Sequence, residues 1–411
     1  MKVLIIGRGG REHSLGWKIS QSPMVSKIYF APGNYGMKSL GELINISEEN
    51  IEELCEFAKK EKIDLTIVGP ESSLALGVVD IFEKNGLKIF GPRKIPAQIE
   101  SSKDFAKNIM KKYKIPTGNY EVFQNLQEAR EYLEKNGVPM VIKEDGLKSG
   151  KGVTVAFSME EALDALERAF KNGDNKILME EYLKGEEFSI IALVNGDRVI
   201  PLEIAQDHKR VFEGEKGPNT GGMGIYSPVD RISEEIQRET MEKIMIPMAQ
   251  AMVAEGIPFT GFLFGGIMAT EEGVKTIEFN GRFGDPEAQG ILPRMKSDLL
   301  EIILKLLEGE ISPVEWEKDY TLGVVMASEG YPERSYLGDS IGGLENCEDL
   351  VFHMGTKEDN TGLIVTNGGR VLCVLGRGRT LKEAQKKAYE NVSKIRASKL
   401  FYRKDIGNRD I

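Results

Sequence analysis

Short apolar runs alternate with amphipathic stretches along residues 1–120. The apolar runs predict buried strands at 2–6, 27–30, 64–68 and 87–90, and the amphipathic stretches predict helices at 11–21, 51–61 and 78–85. This alternation is typical of a parallel sheet with helices on both faces. Ligands of such sheets bind beyond the carboxyl ends of the strands. Three of the predicted strands are closed there by paired Gly and Pro residues, where the backbone turns sharply or approaches a ligand.

Three more units follow along the chain. The first has predicted strands at 138–143, 153–157 and 176–182 and a helix at 159–171, which together form a small α/β module. The next has strands at 188–194, 262–269 and 274–279 and a long loop at 206–228 that is rich in glycine and charge. The remainder, 320–411, has short strands and a helix at 381–395. We therefore expect a multidomain protein of the α/β and α+β classes.

Composition narrows the class of protein. Of 411 residues, 41% are hydrophobic and 29% are charged, which is typical of a soluble globular chain. No apolar run approaches the ~20 residues of a membrane span, and the first run stops at Gly7, so we expect a cytoplasmic protein without a membrane partner. A monomer is expected. The net charge of −10 disfavours nonspecific nucleic-acid binding but allows a phosphate site with local positive charge.

Cysteine and histidine are sparse. Cys55, Cys347 and Cys373 stand far apart and form no CxxC pair, and only three histidines occur. Neither a zinc site nor a disulfide framework is indicated. We expect the cysteines to pack as small hydrophobic side chains.

The turn Gly7-Arg8-Gly9-Gly10 follows the first predicted strand and opens a helix. Such a turn presents free N–H groups and the helix dipole to an anion. A dinucleotide-binding turn would need a third glycine where Glu12 stands, and an acidic residue after the second strand, where Asn34 stands. The turn therefore favours a phosphate-sized ligand over NAD. A tight strand–helix turn without a ligand is the alternative.

A second glycine-rich loop, at 146–152, follows a strand that ends in Lys143. Its glycines let backbone amides wrap phosphate oxygens, and its lysines neutralise their charge. The spacing is not that of a Walker A loop. We expect this loop to act as a lid that orders on ATP, and a surface hairpin is the alternative.

Two further stretches carry acidic side chains at strand ends. Glu278 and Asn280 are two residues apart on a strand, so both point to one face and can offer oxygen ligands to Mg²⁺. Arg282 follows them, and a satisfied ion-pair cluster is the alternative. Glu180 and Glu181 lie in an apolar strand whose backbone could bind adenine, with nearby carboxylates for ribose hydroxyls. A connector with solvated acids is the alternative there.

Together these stretches resemble the ATP-grasp superfamily, and in particular its phosphoribosylamine–glycine ligase family, over nearly the whole chain. The resemblance rests on seven stretches in the family's order: Gly9-Gly10-Arg11-Glu12-His13, Pro32-Gly33-Asn34, Val68-Gly69-Pro70-Glu71, Gln206-Asp207-His208-Lys209-Arg210, Gly217-Pro218-Asn219-Thr220-Gly221-Gly222-Met223-Gly224, Glu278-Phe279-Asn280 and Arg282-Phe283-Gly284-Asp285-Pro286-Glu287. It implies an N-terminal pre-ATP-grasp domain at 1–101, an ATP-grasp region at 102–310 and a C-terminal domain at 311–411. Within the ATP-grasp region it implies a lid at about 117–185 and a central domain at about 186–310.

The resemblance also implies the site residues. The implied ATP-binding residues are Lys103, Lys143, Gly150, Lys151, Gly152, Glu180, Glu181, Leu183 and Glu187. The implied residues for phosphoribosylamine and glycine are Gly10, Asn34, Glu71, Asp207, Lys209, Arg210, Asn219, Thr220, Arg282 and Asp285. Glu278 and Asn280 would hold Mg²⁺ or Mn²⁺, and Arg282, Lys143 and Asp207 would be catalytic.

The activity implied is ligation of glycine to 5-phosphoribosylamine, with ATP converted to ADP and phosphate through glycyl phosphate, in de novo purine synthesis. Positioning and charge neutralisation would dominate such a reaction, so His13 and His208 need not be general bases. The sequence departs from the family at Arg8, at Lys148-Ser149 and at Gly281. For Arg8 we weigh a contact with the substrate phosphate against a solvent-facing or acid-paired side chain.

Three rival functions remain open at this point. Another ATP-grasp ligase would share the ATP half of the site but not the stretches at 9–13 and 206–210. A nucleotide-sensing protein without activity would be expected to lack Glu278, Asn280 or Arg282, and all three are present. A nicotinamide oxidoreductase is opposed by Glu12 and Asn34.

Overall fold

The computed structural model describes residues 1–147, 152–171 and 176–411. Its first unit is a parallel sheet of five strands in the order β3-β2-β1-β4-β5. The strands are β1 Lys2–Gly7, β2 Lys27–Pro32, β3 Glu42–Leu43, β4 Leu65–Val68 and β5 Ile89–Phe90. The helices are α1 Gly10–Ile19, α2 Ile51–Glu61, α3 Glu71–Leu76 and α4 Val78–Lys84. The predicted parallel sheet is confirmed.

Strand β1 is the centre of this unit. Its side chains alternate between two hydrophobic cores, with Val3 and Ile5 in one and Leu4 and Ile6 in the other. Because both faces are buried, the strand reads as a continuous apolar run. Its carboxyl end therefore opens between the two helix layers, where the turn to α1 begins.

The next unit is an antiparallel sheet of four strands in the order β6-β9-β7-β8, covered by two helices. Its elements, with the two helices that precede them, are α5 Gln98–Ser101, α6 Lys103–Tyr113, β6 Tyr120–Phe123, α7 Leu126–Asn136, β7 Met140–Glu144, β8 Val153–Ala156, α8 Met159–Lys171 and β9 Ile177–Glu181. Leu133, Leu166 and Met179 share its small core. The segment between β7 and β8 includes residues 148–151, which lie outside the described residues.

The third unit is built on an antiparallel sheet in the order β11-β10-β16-β17. Its elements are β10 Glu186–Asn195, β11 Arg198–Pro201, β12 Gln206–Asp207, β13 Arg210–Phe212, β14 Lys216–Asn219, β15 Gly224–Ser227, α9 Glu234–Thr240, α10 Ile246–Ala254, β16 Thr260–Thr270, β17 Gly273–Asn280, α11 Glu287–Ile291 and α12 Leu299–Leu307. The predicted long loop at 206–228 is wrong, because β12 to β15 lie within it. These strands are short and rich in charge and glycine, so their pairing with distant strands, not local alternation, defines them.

The last unit is a sheet in the order β12-β15-β18-β22-β19, with β23 paired to β18. Its own elements are β18 Tyr320–Ser328, β19 Val351–His353, β20 Thr356–Glu358, β21 Ile364–Thr366, β22 Arg370–Gly378, α13 Leu381–Lys394 and β23 Leu400–Phe401. The prediction of short strands here is wrong for β18 and β22, which have 9 residues each. Since β12 and β15 complete this sheet, it joins the third unit to the last. The domain limits at 101, 185 and 310 stay predictions.

Short helical turns of other types complete the chain: Tyr35–Ser39, Met241–Met245, Leu292–Arg294 and Leu344–Asn346. In the part of the chain that the structure describes, no helix has the length and apolar character needed to span a membrane.

Candidate active site

Two adjoining cavities lie where the four units meet. The first, here called the deep cavity, is lined by residues of every unit, among them Arg11, Lys103, Lys143, Glu278 and Arg370. The second, here called the outer cavity, extends from it past Glu181, Leu183 and Glu187. Four charged side chains line both cavities: Lys143, Asp207, Lys209 and Glu278. The structure thus brings most of the predicted nucleotide and substrate residues that it describes to one continuous space, whereas Gly10 and Asn34 line neither cavity.

A buried carboxylate lies between two lysines at the edge of this space. Strand pairing sets Glu180 opposite Val141, in the middle of the β6-β9-β7-β8 sheet. Its Oε2 lies 2.6 Å from Lys143 Nζ, and its Oε1 accepts a hydrogen bond from Lys107 Nζ. Burial lowers the pKa of Lys107 to about 8, although Glu180 opposes this shift. The alternative of solvated acids is therefore wrong for Glu180, and Lys107 is a site residue that sequence reasoning missed.

Lys103 and Lys143 are held toward the glycine-rich loop and toward β17. Lys103 Nζ donates to the Gly146 carbonyl at 3.0 Å, and Lys143 Nζ donates to the Ile277 carbonyl at 2.9 Å. Burial lowers the pKa of Lys103, against the attraction of Glu278. Gly146 and Gly152 line the deep cavity. The predicted Gly150 and Lys151 lie outside the described residues, as do Lys148 and Ser149.

Glu278 and Asn280 both line the deep cavity, as their shared strand face predicts. Burial raises the pKa of Glu278, but Lys209, Lys143 and Lys103 more than offset this, so its pKa is lowered and it stays a carboxylate. The amide nitrogen of Asn280 donates to the Phe279 carbonyl at 2.7 Å, which leaves the amide oxygen as its possible ligand atom.

This pair suits a cation that takes part of its shell from elsewhere. Among the described residues, no group of three or more His, Cys, Asp or Glu side chains could hold a metal. Mg²⁺ is often bound by one or two protein oxygens together with phosphates and waters. One carboxylate and one amide oxygen that line the deep cavity fit that donor set.

Arg282 lies in a network of carboxylates between β17 and the first unit. Its Nη2 is 2.8 Å from Glu100 Oε1, and its Nε donates to Glu71 Oε2 at 3.3 Å. Burial raises the pKa of Glu100 to about 7, with Arg282 lowering it and Glu71 raising it. Burial also acts to raise the pKa of Glu71, but Arg282, Arg11 and the hydrogen bonds to its carboxylate together more than offset it, so its pKa is lowered. The ion-pair alternative thus describes Arg282, which lines the cavity as well.

The turn after β1 is partly filled by the chain's own carboxylate. Glu12 is buried, and its Oε2 accepts a hydrogen bond from the Gly9 amide at 2.5 Å. A Cβ added to Gly69 would lie 2.0 Å from Glu12 Oε1, so glycine is required there by close approach. At Gly10 a Cβ would lie 2.3 Å from Gln289 Nε2. One amide predicted to meet an anion is therefore occupied, and Gly10 permits tight packing of α1 on α11.

Arg8, in this turn, contacts the first unit, whereas Asn34, after β2, and His13, in α1, link the first unit to the last. Arg8 is 62% exposed and its Nη2 lies 2.8 Å from Glu48 Oε1, which is the acid-paired alternative. Asn34 Nδ2 donates to the carbonyls of Arg8 and His353, each at 2.8 Å. His13 Nδ1 accepts from the His353 amide at 2.9 Å. Burial lowers the pKa of His13 to about 3, and His353 adds to the shift.

Five predicted substrate residues follow β11 in the chain: Asp207, Lys209, Arg210, Asn219 and Thr220. Burial raises the pKa of Asp207 well above its usual range, and Glu287 adds to the effect. Asp207 Oδ1 is buried without a hydrogen-bond partner among the described residues. Lys209 Nζ forms an ion pair with Glu187, and Thr220 Oγ1 donates to the Lys209 carbonyl at 2.8 Å. These contacts bring a polar, incompletely satisfied carboxylate to the junction of the cavities.

Arg370, from the last unit, is the main site residue that the sequence did not reveal. Its Nη1 donates to the carbonyls of Gly221 at 2.5 Å and Asp285 at 2.6 Å, and lies 3.6 Å from Asp285 Oδ1. It lines the deep cavity. The only local signal was the turn Asn367-Gly368-Gly369 before it, which carries no chemistry of its own.

Three models of phosphoribosylglycinamide synthetase domains match the chain: the N domain at residues 1–100, the ATP-grasp (A) domain at 101–288 and the C domain at 321–409. Phosphoribosylamine–glycine ligase of Halalkalibacterium halodurans is 51% identical over 418 residues, covering 100% of this chain and 97% of that protein. The enzyme of the same name from Escherichia coli K12 is 49% identical over 424 residues, covering 100% of this chain and 99% of that protein.

Solved structures show the same likeness. The crystal structure of phosphoribosylamine–glycine ligase from Thermotoga maritima superposes with a TM-score of 0.86 at 33% identity, covering 99% of this chain and 100% of that one. The biotin carboxylase domain of 2-oxoglutarate carboxylase from Hydrogenobacter thermophilus, solved with magnesium, ADP and bicarbonate, has a TM-score of 0.72 at 16% identity and covers 97% of this chain and 91% of that one. The second likeness concerns the fold alone.

Proposed function

Because the chain belongs to the phosphoribosylglycinamide synthetase family of ATP-grasp ligases, we propose that it joins glycine to phosphoribosylamine with conversion of ATP to ADP and phosphate. The observation that carries this is the junction of the two cavities at Lys143, Asp207, Lys209 and Glu278. A group transferred between a nucleotide in one cavity and a small carboxylic acid in the other would pass between these side chains.

ATP would occupy the outer cavity. Its walls carry apolar side chains suited to a purine, among them Val141, Val153 and Met268. Glu181 and Leu183, at the end of β9 and just after it, supply backbone near the base, and Glu187 is placed for ribose hydroxyls. The phosphates would then point toward Lys143 and Lys103, and the loop at 146–152 would cover them.

Glu278 and Asn280 would hold the divalent cation. Bound there, Mg²⁺ would neutralise phosphate charge during phosphoryl transfer. The protein's own contribution is a carboxylate kept ionised by Lys209 and Lys143 despite its burial.

The chemistry requires an activated carboxyl group, because oxide is a poor leaving group from glycine. A glycine carboxylate oxygen would attack the γ-phosphorus, giving glycyl phosphate and ADP. The amine of phosphoribosylamine would then attack the acyl carbon, the C–O bond to phosphate would break, and phosphate would leave. Arg282 and Arg370 would neutralise the oxygens that gain charge. Asp207, whose pKa burial raises, is placed to take up the proton lost by the amine.

Glycine and phosphoribosylamine would meet in the deep cavity. Glu71, Arg282 and Asp285 line its inner part. Burial acts to raise the pKa of Asp285, but Arg370 and Arg11 more than offset it, so Asp285 offers a carboxylate to an amine or hydroxyl. Arg210 and Asn219 lie on the outer side. Gly10 and Asn34 stand behind the turn and would shape the cavity through packing and through the link to His353.

A coupled assay for ADP tests the proposal, with phosphoribosylamine formed in the cuvette from ribose 5-phosphate and ammonia. ADP release should require both glycine and phosphoribosylamine, and hydroxylamine should intercept glycyl phosphate as a hydroxamate. Formation of AMP and pyrophosphate would exclude the acyl-phosphate route. ADP release with another carboxylic acid in place of glycine, but not with glycine, would identify a different ligase of the same fold.

A further inference from the structure

Residues 403–411, here called the brace, follow β23 and lie outside the motifs that carry the proposed activity. The brace runs along the hairpin formed by β13 and β14, whose turn is 213–215. Arg403 is 2% exposed and is among the largest fully buried side chains of the described chain. A buried arginine needs several partners to compensate for lost hydration. Its partners lie on the hairpin and on the brace itself.

The brace holds the hairpin at β13 and at the turn. Arg403 Nη1 donates to the Arg210 carbonyl at 2.9 Å, and its Nη2 donates to Glu215 Oε1 at 2.6 Å. The Gly214 amide donates to Asp405 Oδ2 at 2.9 Å. Asp405 also accepts two hydrogen bonds from Arg403, at 2.8 and 2.9 Å. The hairpin position is thus set by charge-assisted bonds to the brace.

Glu215 is the point where the brace meets the outer cavity. Its second oxygen, Oε2, lies 3.3 Å from Arg409 Nη2, so two arginines of the brace bind one carboxylate. Both Glu215 and Arg409 line the outer cavity. Glu215 has a φ of 56°, a left-handed conformation that is unfavourable for a non-glycine residue. The bonds to its carboxylate offset that cost and keep the turn in place.

The brace also contacts Arg231, whose partner Gln206 lines the outer cavity. Asp410 Oδ1 lies 3.3 Å from Arg231 Nε, an ion pair whose geometry falls short of a hydrogen bond. Arg231 Nη1 lies 3.1 Å from Glu186 Oε2, and its Nη2 donates to Gln206 Oε1 at 2.8 Å. Glu186 begins β10 and precedes Glu187, the proposed ribose-binding residue. Consecutive residues of the brace therefore contact the hairpin wall and, through Arg231, the β10 wall.

We propose that Arg409 and Asp410 are positioning residues that set the separation of these two walls for the nucleotide. The inference rests on the proposed place of ATP in the outer cavity. Arg409 acts through Glu215, and Asp410 acts through Arg231. In the described part of the chain, neither residue forms a hydrogen bond or ion pair with the charged groups at the junction of the cavities, Lys143, Asp207, Lys209 and Glu278. Nucleotide affinity therefore depends on the brace, and the chemical step does not.

The test compares Arg409→Ala, Arg409→Lys, Glu215→Gln and the Arg409→Ala/Glu215→Gln double variant. Arg377→Ala is the matched control, because Arg377 is 46% exposed against 41% for Arg409 and pairs with Asp349 at 2.7 Å. Arg377 lines neither cavity. The measurements are the Kd of MgADP by equilibrium dialysis, the KM of ATP and of glycine, kcat and the melting temperature.

For Arg409→Ala we expect the Kd of MgADP and the KM of ATP to rise about threefold or more, as for loss of a partly exposed ion pair. The values of kcat and of the glycine KM should stay at those of the Arg377→Ala control. Glu215→Gln should have a similar effect, the double variant should be no worse than the weaker-binding single variant, and Arg409→Lys should restore most of the affinity.

An Arg409→Ala protein that binds MgADP as tightly as the control would overturn the inference. So would additive effects in the double variant, since the two residues would then act independently. A wild-type protein that does not bind MgADP would contradict the proposed function itself, which separates the two failures.

Discussion

Replacement of Arg370 tests whether the last unit contributes to the chemistry or only closes the fold. The variant Arg370→Ala removes two short bonds to backbone carbonyls, at 2.5 and 2.6 Å, and a 3.6 Å contact with Asp285 Oδ1. A hydrogen bond from a charged donor contributes about 1.5–3 kcal/mol, and the two are not additive. Since Asp285 would lose a buried charged neighbour, we expect the free energy of unfolding to fall by about 3–5 kcal/mol.

The effect on catalysis has a different origin. If Arg370 neutralises an oxygen that gains charge in the reaction, its removal should lower kcat by about 10²–10³-fold, as for loss of one oxyanion donor. Arg370→Lys keeps the charge but cannot reproduce the fork of donors, so it should recover stability better than kcat. Added guanidinium chloride at low concentration should partly restore kcat in Arg370→Ala and not in Arg370→Lys.

Urea unfolding and steady-state kinetics on the same preparations separate these two effects. Arg377→Ala lies on the same strand, β22, and removes an exposed pair with Asp349. It should cost less than about 1 kcal/mol and leave kcat unchanged. A folded Arg370→Ala protein with the kcat of wild type would show that this guanidinium serves only the contact between units.

Further predictions concern the metal pair, the buried triad and acid stability. Glu278→Ala and Asn280→Ala should each raise the Mg²⁺ concentration needed for half-maximal activity. Each should also lower kcat, because the activation free energy rises by several kcal/mol. Near-native activity with an unchanged Mg²⁺ titration would argue against the metal assignment. Glu180→Gln leaves two buried lysines without their shared carboxylate, so unfolding in urea should show a loss of about 3–5 kcal/mol, and an unchanged midpoint would contradict that origin. Burial lowers the pKa of His208 from 6.5 to about 3, so the unfolded chain binds the proton first as pH falls. The stability present above pH 6.5 is therefore lost toward pH 3, by about 2 kcal/mol at pH 5; His208→Gln should remove this part of the pH dependence between pH 7 and 5, and an identical dependence in both proteins would refute it.

Local sequence determined the elements whose periodicity is complete within themselves. The helix Ile51–Glu61 begins and ends where the sequence predicts, and the helix at Met159–Lys171 begins where it predicts, because an amphipathic face repeats over three turns in each. The strand ending in Glu278 and Asn280 presents both side chains to the cavity because side chains alternate along any strand. The turn after β1 was also predicted from local sequence, because glycines between a strand and a helix indicate a tight turn.

Resemblance extended this local information to most of the candidate site. The motifs at 206–224 and 278–287 occur in the same order as in the family. This resemblance predicted Asp207, Lys209 and Arg282 as site residues before their positions in the fold were known. Their placement at one junction is a property of the folded chain. Two of the predicted nucleotide residues, Gly150 and Lys151, lie outside the described residues and stay predictions.

Only the tertiary structure decided which polar groups are buried and what they contact. From local sequence, Glu180 is best interpreted as a solvated acid. In the folded chain it is buried, and Lys107 of α6 donates a hydrogen bond to it. Arg370 begins β22, which pairs with β18. It lines the cavity because β18 also pairs with β15, about 100 residues before β18 in the chain, and this pairing joins the last sheet to the third unit. The brace reaches Glu215 across 188 residues of sequence. Such contacts depend on the pairing of distant strands and on the packing of whole units, and no local pattern of hydrophobic and polar residues encodes them.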